Sequence, residues 1–415
     1  MSSGNVVIVG AGHAGVQVAA SLRDEGFQGP IRLLSGEADL PYQRPPLSKA
    51  YLKGETGAEG LLLRAGAFYA AKDIDLRLGT TALAIDREAR ELVLAGGERL
   101  GYDHLVLATG TRARPFDVPG RALAGVLTLY TLGDAARLKT EVEAATAIVV
   151  VGAGFIGLEL TAAAVAAGKS VTVIELGARP LGRAVSSEIS TFYHGAHDRS
   201  GARLLFGAGV AALEGTDGRV EAVVLADGTR VPADLVLVGI GVLAEDRLAH
   251  AAGLPCDNGI MVDEFLLTAD PAISAIGDCA AFPSPHVGTR LRLESVQNAV
   301  DQARCVARRL AGHPEPYVAL PWFWSDQGPH KLQIAGLSHG CDRWTMRGDP
   351  AEGAFTVFGF RGDSLAVVET VNRPADHMVA RKLISAGIRL TPEEAADPAV
   401  DLKALLKARS AGGPA

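Results

Sequence analysis

Two short runs of glycine mark the chemistry this sequence can do. Gly10, Gly12 and Gly15 in VIVGAGHAG, and Gly152, Gly154 and Gly157 in VVVGAGFIG, repeat the spacing G-x-G-x-x-G. The first glycine of such a set allows a tight turn, the second lets backbone approach a pyrophosphate, and the third lets a helix pack close on a strand. Two sets in one chain suggest one fixed and one diffusible dinucleotide, with hydride passing between two stacked rings, a pairing that points to FAD and NADH. Glu175 stands eighteen residues after Gly157, about where a carboxylate accepts from an adenosine ribose and repels a 2′-phosphate. That favours NADH, although Arg179 and Arg183 follow closely and could tolerate a phosphate. In PYQRPPLSK two prolines stiffen the backbone ahead of Lys49, holding a cation more firmly than a solvated loop requires. The four cysteines, Cys256, Cys279, Cys305 and Cys341, lie more than twenty residues apart, so the chain has no CxxC redox pair and no zinc knuckle.

The elements that must position these residues are legible around them. NVVIVG reads as a strand feeding the first glycine turn, VQVAASLRDEG as the helix after it, and IRLLS as the second strand of a βαβ unit. AIVVVGAGFIGLEL repeats the pattern, with a helix expected through Ala167 and the strand SVTVIE closing on Glu175. YDHLVLATG, ADLVLVGIG and AISAIGDCA read as further strands, the last ending at Gly277 and Asp278, and TLGDAARLKTEVEAA and STFYHGAHDRSG as helices. At 415 residues the chain should form two or three domains. Its 40 Lys+Arg against 47 Asp+Glu give a net charge of −7, which argues against a nucleic-acid binder. With the first strand beginning at Asn5 and no apolar run of membrane length, a cytoplasmic protein is expected. His13, His197 and His330 have no metal-ligand spacing and are expected to be packed or solvated, and no metal is expected. SAGGPA, residues 410–415, reads as a frayed tail.

VIVGAGHAG, the ATG at Ala108–Gly110, VVVGAGFIGLE and the Gly277-Asp278 segment stand in the order of the two-dinucleotide flavoprotein superfamily. PPLSKAYL, YTLGDA, ESVQNA and PWFWSDQ resemble, more specifically, the FAD-dependent NADH:ferredoxin reductases of bacterial oxygenase systems, the putidaredoxin-reductase type included. The resemblance spans nearly the whole chain. It implies an α/β architecture of two Rossmann-like domains, the second inserted in the first, and a C-terminal α+β domain. The FAD domain would comprise residues 1–112 and 240–318, the NAD domain 113–239 and the C-terminal domain 319–415.

The same resemblance implies the site. Lys49 would sit beside the flavin N5 edge paired with Glu159, these two being the expected catalytic residues. FAD contacts would come from Gly10, Gly12, His13, Ala14 and Gly15 and from Ala108, Thr109 and Gly110, and Gly36, Glu37, Arg44 and Ala82 would be cofactor contacts too. Further contacts would come from Gly277 and Asp278, from Glu294, Ser295 and Val296 at a helix start, and from Trp324. NADH would be met by Gly152, Gly154, Phe155, Ile156, Gly157, Glu175, Arg183 and Gly241. The chain departs from the family pattern at Tyr130, where many members carry arginine, and at Leu243, Ala244 and Glu245, which replace a frequent Pro-Asn.

With no disulfide route, electrons are expected to leave singly to a protein acceptor, and the resemblance implies that this is a small acidic 2Fe-2S ferredoxin serving a haem-thiolate monooxygenase or ring-hydroxylating dioxygenase. Arg64, Arg304, Arg308, Arg309, Arg381 and Lys382 would form its basic docking patch. Two other readings stay open: a rubredoxin reductase, with the same flavin chemistry and another acceptor, and a redox-controlled binding flavoprotein resembling apoptosis-inducing factor.

Overall fold

A computed structural model describes residues 4–411, so the expected frayed tail lies largely outside the described residues; its first two positions close the helix Leu402–Ala411. The chain divides into two compact units, the first made of Met1–Gln43, Ala58–Arg112 and Val242–Ala319, the second of Arg44–Gly57, Ala113–Gly241 and Leu320–Ala415.

The first unit is built on five parallel strands in the order Ile273–Ala275, His104–Leu107, Val6–Val9, Ile31–Leu34, Ile74–Arg77. VVIV is buried at all four positions, as a central parallel strand covered on both faces must be. It runs into Gly10, whose φ of +103° only glycine adopts easily and where a Cβ would come within 2.2 Å of the Ala108 carbonyl oxygen. The helix His13–Asp24 follows and packs against the helix Val296–Leu310.

The second unit repeats this plan. Five parallel strands run in the order Arg203–Phe206, Ser170–Glu175, Ala147–Val151, Leu235–Val238, Val126–Thr128. The central one turns at Gly152, also at φ +103°, into the helix Phe155–Ala166. From Trp322 onward, five antiparallel strands form a second sheet, beginning with the hairpin Trp322–Gln327 and His330–Gly336. Leu332, Phe355, Val357 and Val367 of this sheet bury themselves with Ile148, Leu158, Ile189 and Phe192, so the inserted nucleotide fold and the C-terminal sheet share one core. Residues 44–57, which carry PPLSK, belong to this unit and not to the first. Among the described residues no helix is long and apolar enough to cross a membrane.

Candidate active site

Pro45–Ser48 form a short 3₁₀ turn, proline in its first positions, and the Lys49 amide closes it on the Pro46 carbonyl at 3.0 Å. The turn delivers Ser48 and Lys49 to the first turns of the helix Phe155–Ala166. There Lys49 Nζ lies 3.1 Å from Glu159 Oε1 and 3.8 Å from Asp326 Oδ2. Glu159 is 6 % exposed. A carboxylate so enclosed must be supplied with donors. Besides the ammonium, Ser48 Oγ donates to its Oε2 at 2.7 Å and Ser325 Oγ to its Oε1 at 2.6 Å.

Ser325 comes from PWFWSDQ. Alternation along the strand puts Phe323, Ser325 and Gln327 on one face and Trp322, Trp324 and Asp326 on the other. Phe323 meets Phe155 with ring centroids 4.6 Å apart. Gln327 Nε2 donates to Ser325 Oγ at 3.3 Å, and Gln327 Oε1 lies 2.9 Å from His197 Nε2. Burial lowers the pKa of His197, favouring its neutral ring. On the opposite face Trp322 and Trp324 lie 5.5 Å apart, and the Arg381 guanidinium covers Trp322 at 4.6 Å. Ser48, Ser325, Gln327 and His197 were not assigned to the site from the sequence.

The two glycine turns have matching shapes. A Cβ on Gly15 would come within 1.8 Å of the Gly10 oxygen, and one on Gly157 within 2.1 Å of the Gly152 oxygen, so both thirds admit glycine alone. Gly12 and Gly154 face open space instead, and neither caps the helix it precedes with a side chain. Each turn thus presents uncapped amides and a cradle that a single methyl group would fill, which fits a dinucleotide pyrophosphate.

Around the first turn the unit gathers most of the expected residues. Gly277, at φ +75°, lets its chain pass Ala14: a Cβ there would lie 3.0 Å from the Ala14 side chain. Its amide donates to Gln302 Oε1 at 2.7 Å. Gly277 and Asp278 begin a 3₁₀ turn rather than ending a strand, the strand having stopped at Ala275. Glu37 accepts from the Tyr42 hydroxyl at 2.6 Å, and a Cβ on Gly36 would stand 3.5 Å from Thr81, next to Ala82. Ser295 caps the helix Val296–Leu310 by accepting from the Asn298 amide at 3.1 Å, and the preceding Glu294 pairs with Arg292 at 2.7 Å.

The departures from the family pattern have local answers. Tyr130 carries the Arg44 guanidinium 4.6 Å over its ring and accepts from Arg44 at its carbonyl at 2.5 Å. Glu245 belongs to the ATG turn: its carbonyl accepts from Thr109 Oγ1 at 2.5 Å, and its amide donates to the Gly110 oxygen at 2.9 Å.

Near the second turn, Glu175 accepts from the Ala153 amide and from the Gly177 amide, both at 2.7 Å. Gly241 adopts φ +95°, and its carbonyl accepts from the Arg114 amide at 3.0 Å. Arg179 is committed to its own loop, donating to the carbonyls of Gly182, Val185 and Ser186, which leaves Arg183 as the exposed cation there. Ile156 is exposed just past Gly154.

The expected basic patch needs one correction. Arg309 turns inward, donating to Ser274 Oγ at 2.6 Å, and burial lowers its pKa. It is not part of an exposed patch. Arg308 spends two hydrogen bonds on Glu315, and Arg304, well exposed, lies 3.2 Å from Asp301. Arg64 and Lys382 are exposed on their respective units. Of the histidines, His197 is packed, and His330 meets Phe192 edge-on at 4.9 Å.

The four cysteines are free, and burial pushes all four thiols up, Cys256 and Cys305 to about 11.

Comparison with known proteins agrees with this architecture. Residues 4–303 match the pyridine nucleotide-disulphide oxidoreductase family, and residues 322–406 the reductase C-terminal family. Rhodocoxin reductase of Rhodococcus erythropolis is 48% identical over 96% of this chain and 93% of its own. The crystal structure of the ferredoxin reductase for the CYP199A2 system of Rhodopseudomonas palustris superposes with a TM-score of 0.95 at 49% identity, covering 98% of this chain and 99% of the other. The reductase in the covalent putidaredoxin reductase–putidaredoxin complex also gives 0.95, at 42% identity over 99% and 100%. The chain belongs to the pyridine nucleotide-disulphide oxidoreductase family and, within it, to the FAD-dependent ferredoxin reductases of the putidaredoxin-reductase type.

Proposed function

We propose that the protein is an NADH-dependent, FAD-containing reductase that delivers single electrons to a 2Fe-2S ferredoxin serving a haem-thiolate monooxygenase or a ring-hydroxylating dioxygenase. The observation that carries this reading is two dinucleotide turns in a chain whose four cysteines are all free and kept as thiols by burial. Electrons have a route in and no disulfide route out. FAD, when bound, supplies the conversion from a two-electron donor to a one-electron acceptor.

In this reading residues 1–112 and 240–318 form the FAD domain, with 44–57 packed instead into the second unit, 113–239 form the NAD domain and 319–415 the C-terminal domain. Gly10, Gly12 and Gly15 hold the FAD pyrophosphate, and Gly152, Gly154 and Gly157 that of NADH. Glu175, held by two backbone amides, receives the ribose hydroxyls and repels a 2′-phosphate. Lys49 fixes a positive charge beside the flavin, and Glu159 orients and balances it. The ferredoxin docks on exposed cations, Arg64 and Arg304 on the first unit and Lys382 on the second, together with the half-buried Arg381 that lies over Trp322.

Reduction by NADH in a stopped-flow instrument, followed by mixing with a panel of ferredoxins and rubredoxins, tests the reading. Rapid reoxidation by a 2Fe-2S ferredoxin is expected. Faster reoxidation by a rubredoxin would transfer the assignment to that acceptor, and a long-lived reduced complex with NAD⁺ that reoxidises with neither would favour a redox-controlled binding protein.

A further inference from the structure

The donors behind Glu159 form a directed series. Gln327 Oε1 can only accept, so His197 carries its proton on Nε2 and donates. Gln327 Nε2 then donates to Ser325 Oγ, and the Ser325 hydroxyl, its oxygen already accepting, donates to Glu159 Oε1. Each donor's other end is an acceptor, and each link polarises the next toward the carboxylate. All three residues are buried, His197 at 4 %, Gln327 at 2 % and Ser325 at 0 % exposure. Water therefore offers no ready substitute for a missing link. A chain of three buried polar side chains is costly where apolar packing would serve, unless its terminus needs it.

The geometry points to Ser325 as a positioning residue for the Lys49–Glu159 pair, with Gln327 and His197 fixing the direction of its hydroxyl. This rests on the proposed role of Lys49 and Glu159 and names what tunes it. Lys49 lies between two carboxylates, 3.1 Å from Glu159 and 3.8 Å from Asp326. Which one it favours depends on how much of the Glu159 charge is already met by hydroxyl donors. Ser325 shares Oε1 with the ammonium, whereas Ser48 serves Oε2. Ser325 thus sets how tightly Lys49 is held at that oxygen. The other ionisable neighbours are Tyr193, whose buried hydroxyl feels Glu159 and Asp326, and His330, which faces His197.

The test compares holoenzyme variants by the carboxyl ¹³C resonance of Glu159, assigned by its disappearance in Glu159→Gln. Ser325→Ala should move that resonance, Gln327→Met should move it part way in the same direction, and Ser325→Thr should restore it. In stopped-flow, Ser325→Ala should slow reduction by NADH roughly tenfold, the order expected for one hydrogen bond to a charged group, with the apparent NADH affinity unchanged. An unmoved resonance in Ser325→Ala, or one moved by Ser325→Ala and untouched by Gln327→Met, overturns the directed series. A resonance that moves as expected while reduction stays as fast in both Ser325→Ala and Lys49→Ala supports the series and instead defeats the role assigned to the pair.

Discussion

Lys49 and Glu159 meet at 3.1 Å although they stand in separate elements, one capping a proline-stiffened 3₁₀ turn and the other in the first turns of a helix behind a glycine-rich loop. Neither element could place its charge alone: the turn fixes where the lysine starts, and the helix fixes where it must end. Lys49→Ala should leave the fold intact, because Ser48 and Ser325 still serve the buried carboxylate. Reduction by NADH should slow by on the order of 2–4 kcal/mol of barrier, roughly 30- to 1000-fold. An unchanged rate in stopped-flow would reduce PPLSK to a structural turn.

Gly12→Ala and Gly154→Ala separate the two dinucleotide sites. Both positions face open space, so both variants should fold with unchanged melting temperatures in the absence of cofactor. Gly12→Ala should emerge from purification depleted of FAD, and Gly154→Ala should keep its yellow colour but need roughly tenfold more NADH, about the loss of one good contact. Gly10→Ala, whose Cβ would collide with the Ala108 carbonyl, should fail to fold.

Glu175→Ala should narrow the preference for NADH over NADPH, measured as the ratio of kcat/KM values. Because the carboxylate also ties down the Ala153 and Gly177 amides, some loss of NADH affinity should accompany the change. A wild-type enzyme that used NADPH equally well would remove Glu175 from the ribose.

Glu369 predicts a pH dependence of stability. It is fully buried and accepts from the Ser186 amide, and burial raises its pKa from 4.5 to about 7. A raised carboxylate contributes stability that is complete below the unfolded value and lost as pH rises through the folded one. Relative to Glu369→Gln, the native protein should therefore lose on the order of 3 kcal/mol between about pH 4.5 and pH 7. Parallel denaturation midpoints for the two proteins across that window would contradict the burial argument.

Ferredoxin reduction should slow as salt rises, since steering by exposed charge is screened over about 8 Å at physiological ionic strength. Arg304→Glu should raise the apparent KM for ferredoxin severalfold and spare ferricyanide reduction, whereas Arg309→Gln should lower the melting temperature without affecting docking. Equal loss with both acceptors in Arg304→Glu would place that residue in support of the flavin site.

The glycine turns, their strands and most helix starts were readable because each depends on neighbours within some twenty residues. The lysine–glutamate pair was readable only through resemblance. The serines that hold Glu159 were not, since Ser48 and Ser325 reach it across more than a hundred residues of chain. Arg309 is different, because a signal existed. Gln302 and Val306 are buried on the helix Val296–Leu310, and position 309 follows them at i+7 and i+3, on the same face. The i, i+4 spacing that joins Arg304 to Arg308 does not extend to Arg309, which the same periodicity places on the buried face.

The two glycine turns share a dihedral angle of +103° at their first residue and the same close approach at their third. Turns this alike would offer a pyrophosphate the same grip, so they do not by themselves explain why one dinucleotide should stay through purification while the other leaves in every catalytic cycle. The difference in dwell time must arise where the two sites are unlike, in the adenosine end beyond the turn and in the ring that the rest of each site encloses. A variant engineered to retain NAD through purification should therefore be sought outside both glycine motifs.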